Sequence, residues 1–201
     1  MKKWYALCLA VLMLLSLLCG CAPADEKKLQ GKWKASADLA AAYGDLLARS
    51  DASVAAHINL GEFKVPLTLR FESDGTYRLS ADEEAIEKGA PKMYEAISMG
   101  MASYLQAQTG KTMENLFSAT GQSREELMEL YFSDDLAATI QQNLECSGTY
   151  KVSGGKLILY REDGGKFFEG KYAVDEDRLE LKSGVTSDLI TSLLPLKLKK
   201  K

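Results

Sequence analysis

The chain has 201 residues, of which 46% are hydrophobic and 26% charged, enough for one domain with a sizeable core. Its formal net charge is −3, with 25 basic residues against 28 acidic ones. A mildly acidic chain lacks the excess of cations needed to neutralise phosphates, so a nucleic-acid partner is not expected.

Lys2 and Lys3 precede an apolar run from Trp4 to Leu18. That run is about fifteen residues, against the roughly twenty of a membrane-spanning helix, and reads as the h-region of an export signal. It stops at Leu18-Cys19-Gly20-Cys21, which resembles the lipobox of bacterial lipoproteins. The resemblance implies lipid attachment at Cys21 and cleavage before it, with residues 1–20 leaving as a lipoprotein signal peptide. The expected location is the extracytoplasmic face of a cell membrane, where two acyl chains on one cysteine suffice for stable attachment. Cleavage removes Lys2, Lys3 and no acids, leaving a mature charge of about −5. Cys8 and Cys19 leave with the signal and Cys21 carries lipid, so Cys146 has no cysteine to pair with. It reads as a small buried hydrophobe at the start of a strand.

Residues 21–28 have no apolar periodicity and read as a tether at most roughly 25 Å long. From 29 to 201 the pattern is that of one domain. Leu29 to Ser36 is the first expected strand, followed by a short helical segment over 37–49. Phe63 to Glu72 alternates Val65, Leu67, Leu69 and Phe71 with Lys64, Thr68, Arg70 and Glu72, the period of a strand with one wet face. Ser73-Asp74-Gly75 turns the chain into Thr76 to Ser80.

A helical insertion follows over 81–145. Pro91 is placed as a first-turn proline, Tyr94, Ile97, Met101, Tyr104 and Leu105 fall at helical spacing, and Gly110 stands where a helix would end. Residues 109–116 and 120–127 then repeat T-G-x-[ST]-x-E-x-L eleven residues apart. In each copy glycine closes a helix and Thr112 or Ser123 caps the next, with Glu126 completing a capping box after Ser123. At least three helices are expected, the last from Arg124 towards Leu144. Strands resume at Gly148 to Ser153, Lys156 to Arg161, Lys166 to Val174, Arg178 to Lys182 and Leu193 to Lys199, separated by turns rich in glycine and aspartate. About eight short strands predict an α+β fold, an antiparallel up-and-down β-barrel with its helical insertion between strands 3 and 4.

Gly31-Lys32-Trp33, Phe71-Glu72-Ser73-Asp74-Gly75-Thr76-Tyr77, Gly148-Thr149-Tyr150-Lys151-Val152 and Lys156-Leu157-Ile158-Leu159 together resemble the lipocalin-like lipoproteins of bacteria. That resemblance implies a tryptophan, here Trp33, laid across the barrel base. Ordinary lipocalins lack so long a helical insertion, so their ligand site does not carry over.

In an up-and-down barrel the connections after odd strands share one end. Both long connections follow odd strands, so the elaborated end is expected to point away from the bilayer and the plain end towards it. Pairing of the last strand with the first would gather Lys197, Lys199, Lys200 and Lys201 near Lys27 and Lys28, against lipid headgroups.

Catalysis, a metal and a cofactor are not expected. His57 is the only histidine, no Gly-x-Ser-x-Gly elbow occurs, and Gly110-Lys111-Thr112 lacks the leading glycine of a phosphate-binding loop. The pairs Asp134-Asp135 and Glu83-Glu84 read as solvated helix faces. Two functions remain open. A barrel lined by Leu67, Leu69, Phe71, Tyr77, Tyr150, Val152, Leu157 and Leu159, under helices carrying Met93, Met99, Met101 and Met113, could hold a small apolar ligand. Alternatively those side chains fill the barrel, and the membrane-distal helices engage another envelope protein or peptide.

Overall fold

The structure, a computed structural model, describes residues 24–112, 114–115 and 136–201. The signal segment, Cys21, Met113, the second copy of the repeat and residues 124–135 of the last expected helix lie outside the described residues.

Eight antiparallel strands close into a barrel in chain order. They are β1 (Gly31–Asp38), β2 (Lys64–Phe71), β3 (Thr76–Ala81), β4 (Cys146–Ser153), β5 (Lys156–Arg161), β6 (Lys166–Val174), β7 (Arg178–Val185) and β8 (Leu196–Lys200). The described helices are α1 (Ala24–Leu29), α2 (Leu39–Ser50), α3 (Ala52–Ala55), α4 (Glu83–Thr109), α5 (Leu136–Leu144) and α6 (Asp188–Ser192). The expected α+β barrel, with helix inserted between strands 3 and 4, is therefore the fold observed, and it is consistent with a lipocalin-like architecture.

Alternation sets each strand's two faces. In β2, Val65, Leu67, Leu69 and Phe71 are buried while Lys64, Pro66 and Arg70 are exposed. The hairpins follow from turn chemistry. Asp74 Oδ1 accepts from the Thr76 amide at 2.9 Å and its hydroxyl at 2.6 Å, and Gly154 and Gly155 take φ of 57° and 73°, the paired left-handed residues of a tight hairpin. The closing seam is short, with only Trp33↔Lys200 and Lys34↔Lys199 in register between β1 and β8.

Several boundaries differ from the sequence expectation. The segment read as tether is helical from Ala24, and Leu29, expected to open the first strand, ends that helix fully buried. Ala37 belongs to β1, because Asp38 is the cap of α2 and accepts from the Ala41 amide at 3.0 Å. Pro91 is not in a first turn: α4 starts eight residues earlier behind Asp82, whose side chain accepts from the Ala85 amide at 2.9 Å. A proline has no N–H to donate to the carbonyl four residues back, so the helix runs on one bond short there. Gly110 does end α4, at φ 68°, with its N–H on the Gln106 carbonyl. The last strand starts at Leu196 rather than Leu193, since Ser187 caps a short helix α6 and Leu193 is its C-terminal cap.

The connections after β1, β3 and β7 carry α2 with α3, α4 with α5, and α6, all at one end of the barrel. The opposite end has only the turns after β2, β4 and β6, together with α1 and the last residue of β8.

Candidate functional site

The sequence names a barrel interior, and the structure places six of its eight residues inside. Leu67, Leu69, Phe71, Tyr77, Leu157 and Leu159 are buried, while Tyr150 and Val152 on β4 are half-buried. Phe71 is the hinge of this group: the Tyr150 ring meets it edge-on with centroids 4.8 Å apart, and the Tyr77 ring lies 6.5 Å away. Tyr150 turns its hydroxyl out to donate to the Glu72 carbonyl at 3.2 Å. The inward rows of β6, β7 and β8 complete the lining with Phe168, Leu179, Leu181, Leu196 and Leu198, all buried. Alternation on those strands marks most of these residues, but the adjacent aromatic pair on β6 breaks period two. A register shift between Leu159 and Tyr160 opposite β6 accompanies the burial of both Phe167 and Phe168.

These side chains fill the barrel. Among the described residues an apolar gap of about 20 Å³ lies between the leucines of β2, β5 and β7 and the α6 turn from Ile190 to Leu194. That is space on the scale of one water molecule in apolar surroundings, whereas small-molecule pockets run to roughly 300 Å³ and more. A larger concavity, about 400 Å³, lies outside the barrel on β6 to β8, edged by Asp175, Arg178, Glu180, Lys197 and Lys199.

The base is closed by its own neighbourhood. Trp33 is fully buried and its indole N–H donates to the Leu29 carbonyl at 2.6 Å, tying α1 across the opening. The Lys200 ammonium stands 5.0 Å from the indole centroid and donates to the Lys28 carbonyl at 3.2 Å. The sequence pointed to Trp33 here but not to the lysine on its face, whose position depends on closure of the seam.

The other end is closed by helices. Ile86, Ala90, Met93 and Ile97 of α4 are buried with Ile140 and Leu144 of α5 and with Leu189 and Ile190 of α6. Of the methionines expected in this lid, Met93 is buried, Met101 is half-buried and Met99 is 56% exposed. Two glycines seat α4 on the segment before β2. A methyl group at Gly89 would fall 2.0 Å from the Phe63 ring, and one at Gly100 would fall 2.4 Å from the Ile58 side chain and 2.7 Å from the His57 carbonyl. Only residues without a side chain allow so close an approach.

Polar chemistry inside is sparse. The Tyr77 hydroxyl lies 3.0 Å from the Cys146 sulfur, and burial first, then this contact, pushes the phenol well above its ordinary range. His57 places Nδ1 3.1 Å from the Ser103 hydroxyl and its ring edge-on to Tyr104 at 5.7 Å. Glu83 lies exposed in the first turn of α4, and its neighbour Glu84 pairs with Lys88 on the helix surface. Asp134 and Asp135 lie outside the described residues. Among the described residues no helix is long and apolar enough to cross a membrane, and no group of His, Cys, Asp and Glu could hold a metal ion. Set against known proteins, the chain matches no family model, no curated protein and no solved structure.

Proposed function

We propose that this chain is a lipid-anchored extracytoplasmic protein, attached through Cys21, whose filled barrel is a rigid stand that holds its helical end out to another protein or peptide. The observation that carries the reading is the interior, where among the described residues buried leucine and phenylalanine side chains surround a gap of about 20 Å³. The anchor rests on the Leu18-Cys19-Gly20-Cys21 sequence and on the apolar run before it. The outward direction of the helices rests on topology, because α1 reaches the barrel at the end opposite to them.

Native mass spectrometry of the protein extracted from its host membrane tests both parts. The expected mass is that of the chain from Cys21 with its acyl groups and nothing further. An apolar molecule retained in stoichiometric amount would overturn the filled-barrel reading in favour of a ligand carrier. An unmodified Cys21, or a Cys21→Ala variant that stays on host vesicles as firmly as the parent, would overturn the anchor.

A further inference from the structure

Barrel closure arranges the outward-facing cations in a way no single strand reveals. In the outer rows, Lys32 stands opposite Arg70 and Arg70 opposite Arg78, while Lys34 stands opposite Lys199 and Lys199 opposite Arg178. All six side chains are exposed. Neighbouring strands lie about 4.8 Å apart, so each of these is a like-charge pair inside one Debye length, and such pairs destabilise a sheet. Partial relief comes from Glu72, 2.5 Å from Arg70, and from Asp177, 3.8 Å from Arg178. Among the described residues no carboxylate pairs with Lys32, Lys34, Arg78 or Lys199. The far wall has one like-charge pair, Lys156 opposite Lys171, but there a carboxylate answers it: Lys156 and Lys166 both bond Glu169, at 3.0 and 2.6 Å, and Lys151 stands opposite Ile158.

This concentration occurs in a chain that is negative overall. The like-charge pairs lie in the half of the wall nearest the base. Lys32 is the second residue of β1, Arg70 the penultimate residue of β2 and Lys199 the penultimate residue of β8. Further towards the helices the outer rows carry Ser36 opposite Pro66, and the cations there face acids, Lys64 opposite Asp38 and Lys197 opposite Glu180. The helical end is the more acidic, with Glu83, Glu84, Glu87 and Glu95 on α4 against Lys88 and Lys92.

We infer that the basal half of the β8–β1–β2–β3 wall is a docking surface for the anionic headgroups of the membrane that holds the chain, so that the barrel leans on this wall with its helices raised. The inference rests on the anchored reading. Ala24, where α1 begins, is three residues from Cys21, a span of at most about 10 Å. The cationic half-wall is therefore brought to the bilayer whether or not it binds there, and each cation at an anionic surface raises partitioning about fivefold. Anionic lipid also removes the repulsion between the facing cations.

The test is lysine acylation with an amine-reactive ester, read by mass spectrometry, on the lipidated protein reconstituted into phosphatidylcholine vesicles with and without phosphatidylglycerol. On the anionic vesicles Lys32, Lys34 and Lys199 are expected to react about threefold more slowly, and salt raised to about 0.5 M to restore them. Lys151 and Lys171 on the far wall are expected to keep their rates. A Lys199→Glu variant, whose carboxylate would face both Lys34 and Arg178, is expected to fold and to lose protection at Lys32. Equal rates on both vesicle types, protection shared by Lys151 and Lys171, or the same protection by inorganic polyphosphate without vesicles would overturn the inference. Flotation with phosphatidylcholine vesicles alone reports the Cys21 anchor, so failure of the anchor and failure of the wall are seen separately.

Discussion

At its plain end the barrel is shut by residues four apart in sequence, Leu29 and Trp33, with Lys200 laid over the indole. At the other end it is shut by helices drawn from three separate connections, with α4 seated through two glycines on the segment before β2 rather than through a single large plug. The base thus depends on one side chain and its hydrogen bond, and the cap on the fit between a helix and a loop about 40 residues before it. Damage at the base should therefore cost more and spread further than damage at the cap, where the loss is confined to a shift of packed helices.

The sharpest way to break this contrast is Trp33→Ala. Removing a fully buried indole at the base is expected to cost about 3–5 kcal/mol in urea unfolding and to weaken exchange protection throughout β1, β2 and β8. Lys200→Met, which removes the charge from the indole face and keeps an apolar stem, is expected to cost about 1 kcal/mol or less. Equal costs for the two would mean that the base is held by the seam and not by the tryptophan.

A smaller effect separates two helical glycines at the elaborated end. Gly44 in α2 has open space where a methyl group would stand, so Gly44→Ala is expected to stabilise by about 0.5–1 kcal/mol through helix propensity alone. Gly100→Ala gains the same propensity but drives a carbon into the His57 carbonyl and the Ile58 Cα, and backbone cannot rotate away. A net loss of about 1–2 kcal/mol is expected, with exchange protection falling in α4 and unchanged in β4 to β7. Stabilisation by both substitutions in chemical denaturation would show that α4 is not seated on the 57–63 segment.

The same contrast explains what could be read in advance. The strands were legible because burial of one face writes period two into each of them, and Ser73-Asp74-Gly75 and Gly154-Gly155 carry their own turn chemistry. The plain end was legible only in part: the resemblance named Trp33, but the helix that ends at Leu29 read as tether and strand, and Lys200 reaches the indole only through closure of the seam. The short helix α6 was hidden because Leu193 and Leu194 continue, without a break, the alternation of Leu196 and Leu198. The seating of α4 was hidden because Gly89 and Gly100 read as helix-weakening residues until Phe63 and Ile58 are beside them. The cationic half-wall needed the register: each strand shows its own outward lysine or arginine, but only pairing places Lys32 against Arg70 and Lys34 against Lys199. Whether the interior is filled also lies beyond alternation, which names the inward residues without giving the volume they enclose.

Tyr77 provides the mildest test, because its hydroxyl joins β3 to the first residue of β4. Its phenol ionises well above the usual tyrosine range in the folded chain, held neutral first by burial and then by the Cys146 sulfur. The unfolded chain binds fewer protons than the folded one above about pH 10, so stability is fully present below that pH and falls as pH rises past it. Tyr43 and Tyr150, both raised by burial, act in the same direction. Tyr77→Phe is therefore expected to cost about 1 kcal/mol at neutral pH through the lost hydrogen bond, and to make the decline in melting temperature above pH 10 shallower without abolishing it. If the slope above pH 10 is unchanged in this variant, Tyr77 is reached by water in the folded chain, and the barrel is open at the β3–β4 seam where the long helical insertion leaves and returns.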